Sequence, residues 1–239
     1  MAFSFEICAP NLQSAIAAKA AGATRIELCA ALELGGLTPS LGLVAYVVEV
    51  VSIPVHVLLR PRDGNFCYDH QEWAVLQRDA ALCRDAGAAG IVIGALTPEN
   101  KLDLPLLAAL RASAGGMEVT CHRAFDFVKD PFEALEQLID MGFNRVLTSG
   151  QAPTAFEGRF LLQQLVEKAK GRITIMPGAG IDAGNIQVIA ETTGAKDFHF
   201  SAKTNIVQPA GALPGLNNAY LAADLTKIGE IMAALDRGF

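Results

Sequence analysis

The densest group of chemically active side chains lies in residues 117–126, where a short apolar run ends in His122, Arg123 and Asp126. An imidazole, a guanidinium and a carboxylate this close together suit acid–base chemistry on an anionic ligand. In parallel α/β folds, functional side chains lie at the carboxyl ends of strands, where the loops share one rim. We therefore expect His122 as an acid–base group and Arg123 as an anchor at such a rim, with Asp126 orienting Arg123 or its loop.

Two earlier runs repeat one pattern, Glu6-Ile7-Cys8 and Glu27-Leu28-Cys29. Side chains alternate along a strand, and a carboxylate would be costly against an apolar helix layer, so both Glu and both Cys are predicted to face inward. Adjacent strands are about 4.8 Å apart, so Cys8 and Cys29 could share one ion. Paired thiolates favour a soft metal such as copper(I), or zinc with further ligands. The alternative is that each thiol is a small, inert core residue.

The same alternation turns polar side chains of three other predicted strands inward. They are His56 and Arg60 from the third, Thr120 and His122 from the fifth, and His199 and Ser201 from the eighth. Arg60 could counter Glu6 and Glu27 or clamp an anionic ligand, and a structural ion-pair network is the alternative. His56 is expected deep in the barrel as a hydrogen-bonded core histidine.

Two loops of small residues follow later strands, Thr148-Ser149-Gly150 and Pro177-Gly178-Ala179-Gly180. Glycines let backbone N–H groups approach an oxyanion, and barrels often bind phosphate near their last two strands. The candidates for binding a small anionic ligand, such as a phosphorylated metabolite, are therefore Ser149, Gly178, Gly180 and Ser201, with help from Lys203. Ordinary tight connections between strand and helix are the alternative reading of both loops.

The composition argues against several classes of protein. The net charge is −6 with no basic cluster, so nucleic acid and anionic lipid are not expected partners. No uninterrupted apolar run approaches about 18 residues, so no membrane span is expected. The N-terminal residues show no charged leader, and the cysteines are widely spaced. We expect a cytoplasmic protein with reduced thiols and no organic cofactor, in which Cys67 is a loop residue and Cys83 and Cys121 are packing residues.

Short β-branched runs alternate with Ala- and Leu-rich helical stretches along the chain. The predicted strands are 3–8, 24–29, 54–60, 89–94, 117–123, 144–149, 172–177 and 196–201. Asp130-Pro131 predicts a capped helix start. Eight βα units over 239 residues favour an α/β fold, a single-domain (β/α)8 TIM-type barrel spanning 1–239. The last helix is expected from about 220 to 236, after a long rim loop at 202–218.

Eight short motifs run from the first predicted strand towards the last. They are Glu6-Ile7-Cys8, Arg25-Ile26-Glu27-Leu28-Cys29, Gly35-Gly36-Leu37-Thr38-Pro39-Ser40, Arg60-Pro61-Arg62, Phe66-Cys67-Tyr68, His122-Arg123-Ala124-Phe125-Asp126, Leu147-Thr148-Ser149-Gly150 and Gly178-Ala179-Gly180. Together they make the chain resemble the CutC family over about residues 3–201. The resemblance implies a cytoplasmic TIM-type barrel, a role in copper homeostasis and metal tolerance, and copper(I) ligation by the cysteines that match Cys8 and Cys29.

The sequence departs from the family at two places. Asp63-Gly64-Asn65 stands where relatives more often have Gly-Gly-Asp, and residues 202–218 lack the Ser- and Arg-containing sequence that is common there. A ligand contact from the second segment is therefore not carried over to this chain.

The sequence is compatible with three functions. The first is a copper(I)-binding homeostasis protein that uses Cys8 and Cys29. The second is an enzyme acting on a small anionic metabolite, and its candidate residues are Glu6 or Glu27 as base, His122 as acid–base partner, and Arg60 and Arg123 as anchors. The third is a structural or partner-binding role, in which residues 202–218 contribute to a homodimer.

Overall fold

A sheet of eight parallel strands forms the centre of the molecule, of which the computed structural model describes residues 3–207 and 219–236. The strands are β1 Ser4–Ala9, β2 Arg25–Leu28, β3 Val55–Leu58, β4 Gly90–Ile93, β5 Glu118–Cys121, β6 Arg145–Thr148, β7 Thr174–Pro177 and β8 Asp197–Phe200. Neighbours in sequence pair from β1 to β7, and β8 pairs with β1. A parallel bridge between Gly178 and His199 lies at the remaining seam. The nearly closed barrel and all eight predicted strands are confirmed.

Eight α-helices of the described residues accompany the strands. They are α1 Leu12–Ala20, α2 Leu41–Val51, α3 His70–Asp85, α4 Leu104–Ala114, α5 Pro131–Asp140, α6 Arg159–Ala169, α7 Ile186–Thr193 and α8 Leu225–Asp236. The carboxylate of Asp130 accepts hydrogen bonds from the backbone N–H groups of Phe132 and Glu133, which is the predicted cap of α5. Within the described ranges, no helix combines the length and the apolar character that crossing a membrane requires.

The segment after β8 differs from the prediction of a long loop over 202–218. Lys203–Val207 forms strand β9, which pairs antiparallel with strand β10, Ala219–Ala223. The final helix accordingly begins at Leu225 and not near residue 220. Hydrogen bonds from the Asn11 side chain to Leu221 O and from Ala223 N to the Ser14 hydroxyl attach β10 to the start of α1. The rest of the predicted loop, residues 208–218, lies outside the described residues.

The barrel strands present two different faces, as the alternation of side chains predicts. Their outward residues pack with the helices in one large apolar core, to which Ile7, Ile26 and Leu28 belong. A much smaller cluster of Cys8, Cys29, Leu58 and Val92 is separate from it. This second cluster lies on the inner face of the strands, away from the helices. Both thiols therefore lie inside the barrel, and the inward orientation predicted for them is confirmed.

Candidate functional site

A cavity of about 830 Å³ opens where the strands of the barrel end. Cys8, Glu27 and His199 line it from β1, β2 and β8, and His122 lines it from the residue that follows β5. The loop after β7 and the first turns of α8 also contribute to its wall, together with residues of other loops at the same end of the barrel. The volume is in the range of sites for small molecules. The polar rim that the sequence predicts therefore surrounds a real opening.

The two predicted thiols lie side by side below this opening. The Sγ atoms of Cys8 and Cys29 are 3.6 Å apart, and both side chains are buried. The hydrogen bond between the thiols, together with burial, raises the pKa of Cys8 well above its ordinary value. Both residues are free cysteines and therefore enter any metal site as thiols that must first lose their protons.

Cys8 also belongs to a second group, formed with Glu27 and His199. One ligand atom from each of these three buried residues lies within 4.8 Å of the other two. The Cys8 thiol donates to Glu27 Oε1 over 3.6 Å, whereas Glu27 Oε2 has no hydrogen-bond partner among the described residues. Burial raises the pKa of Glu27. His199 was predicted to face inward without a role, and its position on the last strand was the signal available in the sequence.

Glu6 does not have the freedom that a catalytic base requires. It is fully buried, with Oε2 at 2.5 Å from Arg25 Nε and Oε1 at 2.8 Å from His199 Nδ1. Burial alone would raise the pKa of Glu6, but the Arg25 charge and the His199 contact lower it far below the ordinary value. Glu6 is therefore held as a carboxylate that orients His199, and both of its oxygens are engaged.

Arg25 lies beneath the cavity floor in an ion-pair network that sequence analysis missed. Its Nη2 atom donates to both oxygens of Asp197, at 3.0 and 2.9 Å, and Arg145 Nε reaches the same carboxylate at 3.1 Å. The available signal was the position of Arg25, two residues before Glu27 on the inward face of β2. The network closes the barrel below the thiols with paired charges.

The terminal nitrogens of Arg60 donate to backbone carbonyl groups of neighbouring loops. Nη1 donates to the carbonyl oxygens of Leu34 and Gly36, at 2.9 and 3.0 Å, and Nη2 donates to that of Gly64 at 2.9 Å. The guanidinium also lies over the ring of Phe66, 5.1 Å from its centroid. No carboxylate of the described residues pairs with it, so Arg60 ties the loops after β2 and β3 together.

His122 faces the cavity as a neutral imidazole. Its Nδ1 atom accepts a hydrogen bond from the backbone N–H of Ala124 over 3.1 Å, and Nε2 has no partner in the described part of the chain. Burial, with the nearby Arg60 charge, lowers the pKa of His122 to about 3. The proton must then reside on Nε2, which makes this residue a hydrogen-bond donor more than an acid–base group at neutral pH.

Arg123 and Asp126 form a unit with the loop after β6. Arg123 Nε pairs with Asp126 Oδ2 at 2.8 Å, and Nη2 donates to the Ser149 hydroxyl at 3.0 Å. The carboxylate of Asp126 also accepts from Ser149 N at 3.0 Å. Asp126 thus orients both the arginine and the loop, as expected, and fills the place in which Ser149 N would have met a phosphate.

The glycine loop after β7 is mainly a packing feature. Gly178 N donates to Thr148 O at 3.1 Å and is not free for an anion. A Cβ atom at Gly178 would lie 2.4 Å from Leu147 Cδ1 and 3.4 Å from His199 Cβ, so the position needs a glycine for close approach. Gly180 and Ser201 do line the cavity. Of the four predicted anion-binding residues, two are engaged internally and two remain at the opening.

The remaining cysteines and His56 lie apart from the cavity. Cys67 is a partly buried loop residue, and Cys83 and Cys121 pack in the outer apolar core. Burial raises the pKa of both Cys83 and Cys121 to about 12. His56 is buried, with Nε2 3.4 Å from Glu118 Oε2.

Comparison with known proteins connects this geometry to one family. The model of the CutC family matches residues 3–204. The human copper homeostasis protein cutC homolog is 48% identical over 202 residues, covering 84% of this chain and 74% of that protein. A family protein CutC from Histophilus somni is 46% identical over 199 residues, covering 83% and 82%. Another from Xanthomonas campestris is 43% identical over 234 residues, covering 96% and 98%.

Solved structures show the same relationship. A Streptococcus agalactiae protein provisionally named copper homeostasis protein CutC superposes with a TM-score of 0.79 at 33% identity, covering 82% of this chain and 97% of that one. The thiamine phosphate pyrophosphorylase of Pyrococcus furiosus reaches a TM-score of 0.62 at 14% identity, covering 99% and 97%. That second likeness shows the barrel fold alone.

Proposed function

Because this chain belongs to the CutC family, we propose that it is a copper homeostasis protein that binds Cu(I) through the thiolates of Cys8 and Cys29. The observation that carries the proposal is the 3.6 Å separation of the two buried Sγ atoms. A metal–thiolate bond is about 2.3 Å, so a tetrahedral angle at one ion would hold two sulfurs about 3.8 Å apart. The thiols need little movement to share an ion.

The chemistry of the pair favours a soft ion. Thiolates select Cu(I) over hard cations, and burial excludes the water that would compete for the ion. Since the ligands are thiols without metal, Cu(I) binding releases protons from them. The proposal assigns the protein to the cytoplasm, where free thiols stay reduced and Cu(I) is the relevant oxidation state.

The entry route is the cavity, which Cys8 lines. An ion arriving there meets Cys8 first and Cys29 behind it, since Cys29 has no exposed surface. The alternative of an enzyme acting on an anionic metabolite has weaker support. Glu6 is engaged with Arg25 and His199, and the terminal nitrogens of Arg60 donate to backbone carbonyls.

The experiment is an anaerobic titration of the metal-free protein with Cu(I) against a competing chelator. Cys8→Ser and Cys29→Ser should each weaken Cu(I) binding by at least about tenfold, since each removes one of two ligands. Cys67→Ser is the matched control, because that thiol lies in a loop away from the pair, and it should leave the affinity unchanged. Because the proposal needs both thiolates, unaltered affinity in either Cys8→Ser or Cys29→Ser would refute the assignment.

A further inference from the structure

We propose that the cavity floor also binds a divalent transition-metal ion of the zinc type, held by Cys8, Glu27 and His199 with one coordination position open to the cavity. One ligand atom from each residue lies within 4.8 Å of the others, and all three residues are buried. This goes beyond the proposed function, because it depends on Glu27 and His199 and not on Cys29.

The donor set distinguishes this ion from Cu(I). A thiolate, a carboxylate oxygen and an imidazole nitrogen are the three ligand types that proteins use for Zn²⁺. A Cu(I) ion prefers the two thiolates and gains little from a carboxylate. The floor therefore contains two overlapping coordination sets, with Cys8 common to both.

His199 is already oriented as a metal ligand. Its Nδ1 atom lies 2.8 Å from Glu6 Oε1, and the other Glu6 oxygen is held by Arg25. Metal-binding histidines commonly use one ring nitrogen for a carboxylate of this kind, which fixes the ring and leaves the other nitrogen for the ion. Here the nitrogen left for an ion is Nε2.

Glu27 supplies an independent indication of a missing partner. Its Oε2 atom is buried and has no hydrogen-bond partner among the described residues, while the residue as a whole is 4% exposed. A buried carboxylate oxygen without a donor is energetically costly. A cation at the floor would satisfy it.

The position of the cavity indicates the direction of the fourth, open coordination position of the ion. Cys8, Glu27 and His199 all line the cavity, whereas Cys29 is not part of its wall. An ion on these three residues would therefore face the opening, as ions with three protein ligands do in catalytic zinc sites. Its fourth position would accept water or a donor atom of a small ligand.

The test uses Co²⁺, which reports its own coordination, added to the reduced, metal-free protein under anaerobic conditions. The wild type should show the visible bands of four-coordinate Co²⁺ and a thiolate-to-cobalt charge-transfer band, and Zn²⁺ should remove both by competition. Glu27→Gln and His199→Gln should weaken Co²⁺ binding by at least about tenfold. Cys29→Ser should keep the bands and the affinity.

Folding controls make these outcomes interpretable. Glu27→Gln is the decisive variant, because it preserves side-chain size and leaves the Glu6–Arg25 contact in place, and its melting temperature is measured beside the wild type. Cys67→Ser should behave as wild type. The absence of cobalt bands in the wild type, or their loss in Cys29→Ser or Cys67→Ser with retention in Glu27→Gln, would overturn the inference.

The two metal assignments fail separately. If Cys29→Ser leaves the Cu(I) affinity unchanged while Glu27→Gln and His199→Gln weaken Co²⁺ binding, the proposed copper site is wrong and the divalent site is supported. If both cysteine variants weaken Cu(I) binding and Glu27→Gln leaves the Co²⁺ affinity unchanged, the copper site is supported and the divalent site is wrong.

Discussion

Arg25 supports the side chains that lie beneath the proposed metal ligands. Its side chain is only 7% exposed and contacts the carboxylates of Glu6 and Asp197. An intact buried ion pair adds little net stability, but removing one partner leaves an uncompensated charge in a medium of low polarity. Glu6 in turn holds His199, so the charge of Arg25 also supports the geometry of the cavity floor.

Arg25→Met should lower the free energy of unfolding by about 3–5 kcal/mol, because it removes the cation that two buried carboxylates share and leaves Glu6 with His199 alone and Asp197 with Arg145 alone. The control is Arg172→Met, which removes the Arg172–Glu136 pair, where the side chains are 43% and 36% exposed. That control should cost at most about 1 kcal/mol. Urea denaturation at pH 7 measures both free energies of unfolding. Equal losses of stability in the two variants would show that the buried network contributes no more than the exposed ion pair.

Residue-level prediction succeeded where only the alternation along a strand was needed. The inward positions of Cys8, Glu27 and Cys29 follow from the period of two. The choice of partners did not follow, because Arg25 and Asp197 are 172 positions apart and meet only when the barrel closes. Arg60 was expected to meet carboxylates and instead meets carbonyl oxygens of its neighbouring loops, because the alternation along a strand predicts the direction of a side chain and not its partner.

At the scale of elements, the seam between β7 and β8 depends on a residue without a side chain. Gly178→Ala should destabilise the protein by about 1–3 kcal/mol, because the new Cβ would lie 2.4 Å from Leu147 Cδ1. Gly42→Ala is the control, since Gly42 lies in α2 with nothing within 4 Å of an added Cβ. That change should stabilise the protein by about 0.5–1 kcal/mol. Thermal unfolding measures both, and a Gly178→Ala protein as stable as the wild type would contradict the account.

The amino ends of β5 and β6 carry a pH-dependent contact. A hydrogen bond with His56, followed by contact with Arg145, lowers the pKa of Glu118 to about 2. A lowered carboxylate pKa stabilises the fold above the unfolded value of about 4.5 and loses this effect as the pH falls towards 2. Glu118→Gln should therefore cost under about 1 kcal/mol at pH 7, since the side chain is 46% exposed and solvent screens it.

Urea denaturation of wild type and Glu118→Gln between pH 7 and about pH 2.5 follows this contribution. The difference between the two proteins should shrink as the pH falls below the unfolded carboxylate value. A difference that grows with acidity would mean that the contact does not hold Glu118 as a carboxylate.

The antiparallel strand pair β9 and β10 was not predicted from the sequence. Residues 219–223 are rich in Ala and Leu, which favour helix, so the last helix was predicted to begin too early. The strand forms because Lys203–Val207 supplies backbone partners and α1 supplies the Asn11 and Ser14 contacts. Tertiary contacts therefore outweigh local propensity here.

For the whole molecule, the barrel was predictable because it repeats. Eight short apolar runs separated by helices leave few other arrangements for 239 residues. The predicted bounds of each strand lie within a few residues of the observed bounds. Function needed more than repetition. The backbone N–H groups of Ser149 and Gly178, for which anion binding was predicted, already donate to Asp126 and to Thr148 O.

Self-association remains a prediction for the molecule as a whole. Soluble oligomers are most often symmetric dimers, and we expect this chain to form one. Sedimentation velocity over a range of protein concentrations should show a species of twice the chain mass of 25.2 kDa. A single monomeric species at every concentration would exclude the dimer.

The most direct test of the Cys8–Cys29 copper site is copper K-edge X-ray absorption on the reduced protein loaded with equimolar Cu(I). If Cys8 and Cys29 hold the ion, the first coordination shell should be dominated by sulfur at about 2.3 Å, and Cys29→Ser should remove one sulfur from it. A shell of nitrogen and oxygen, or a sulfur shell that is the same in Cys29→Ser, would contradict a copper site built on these two thiols.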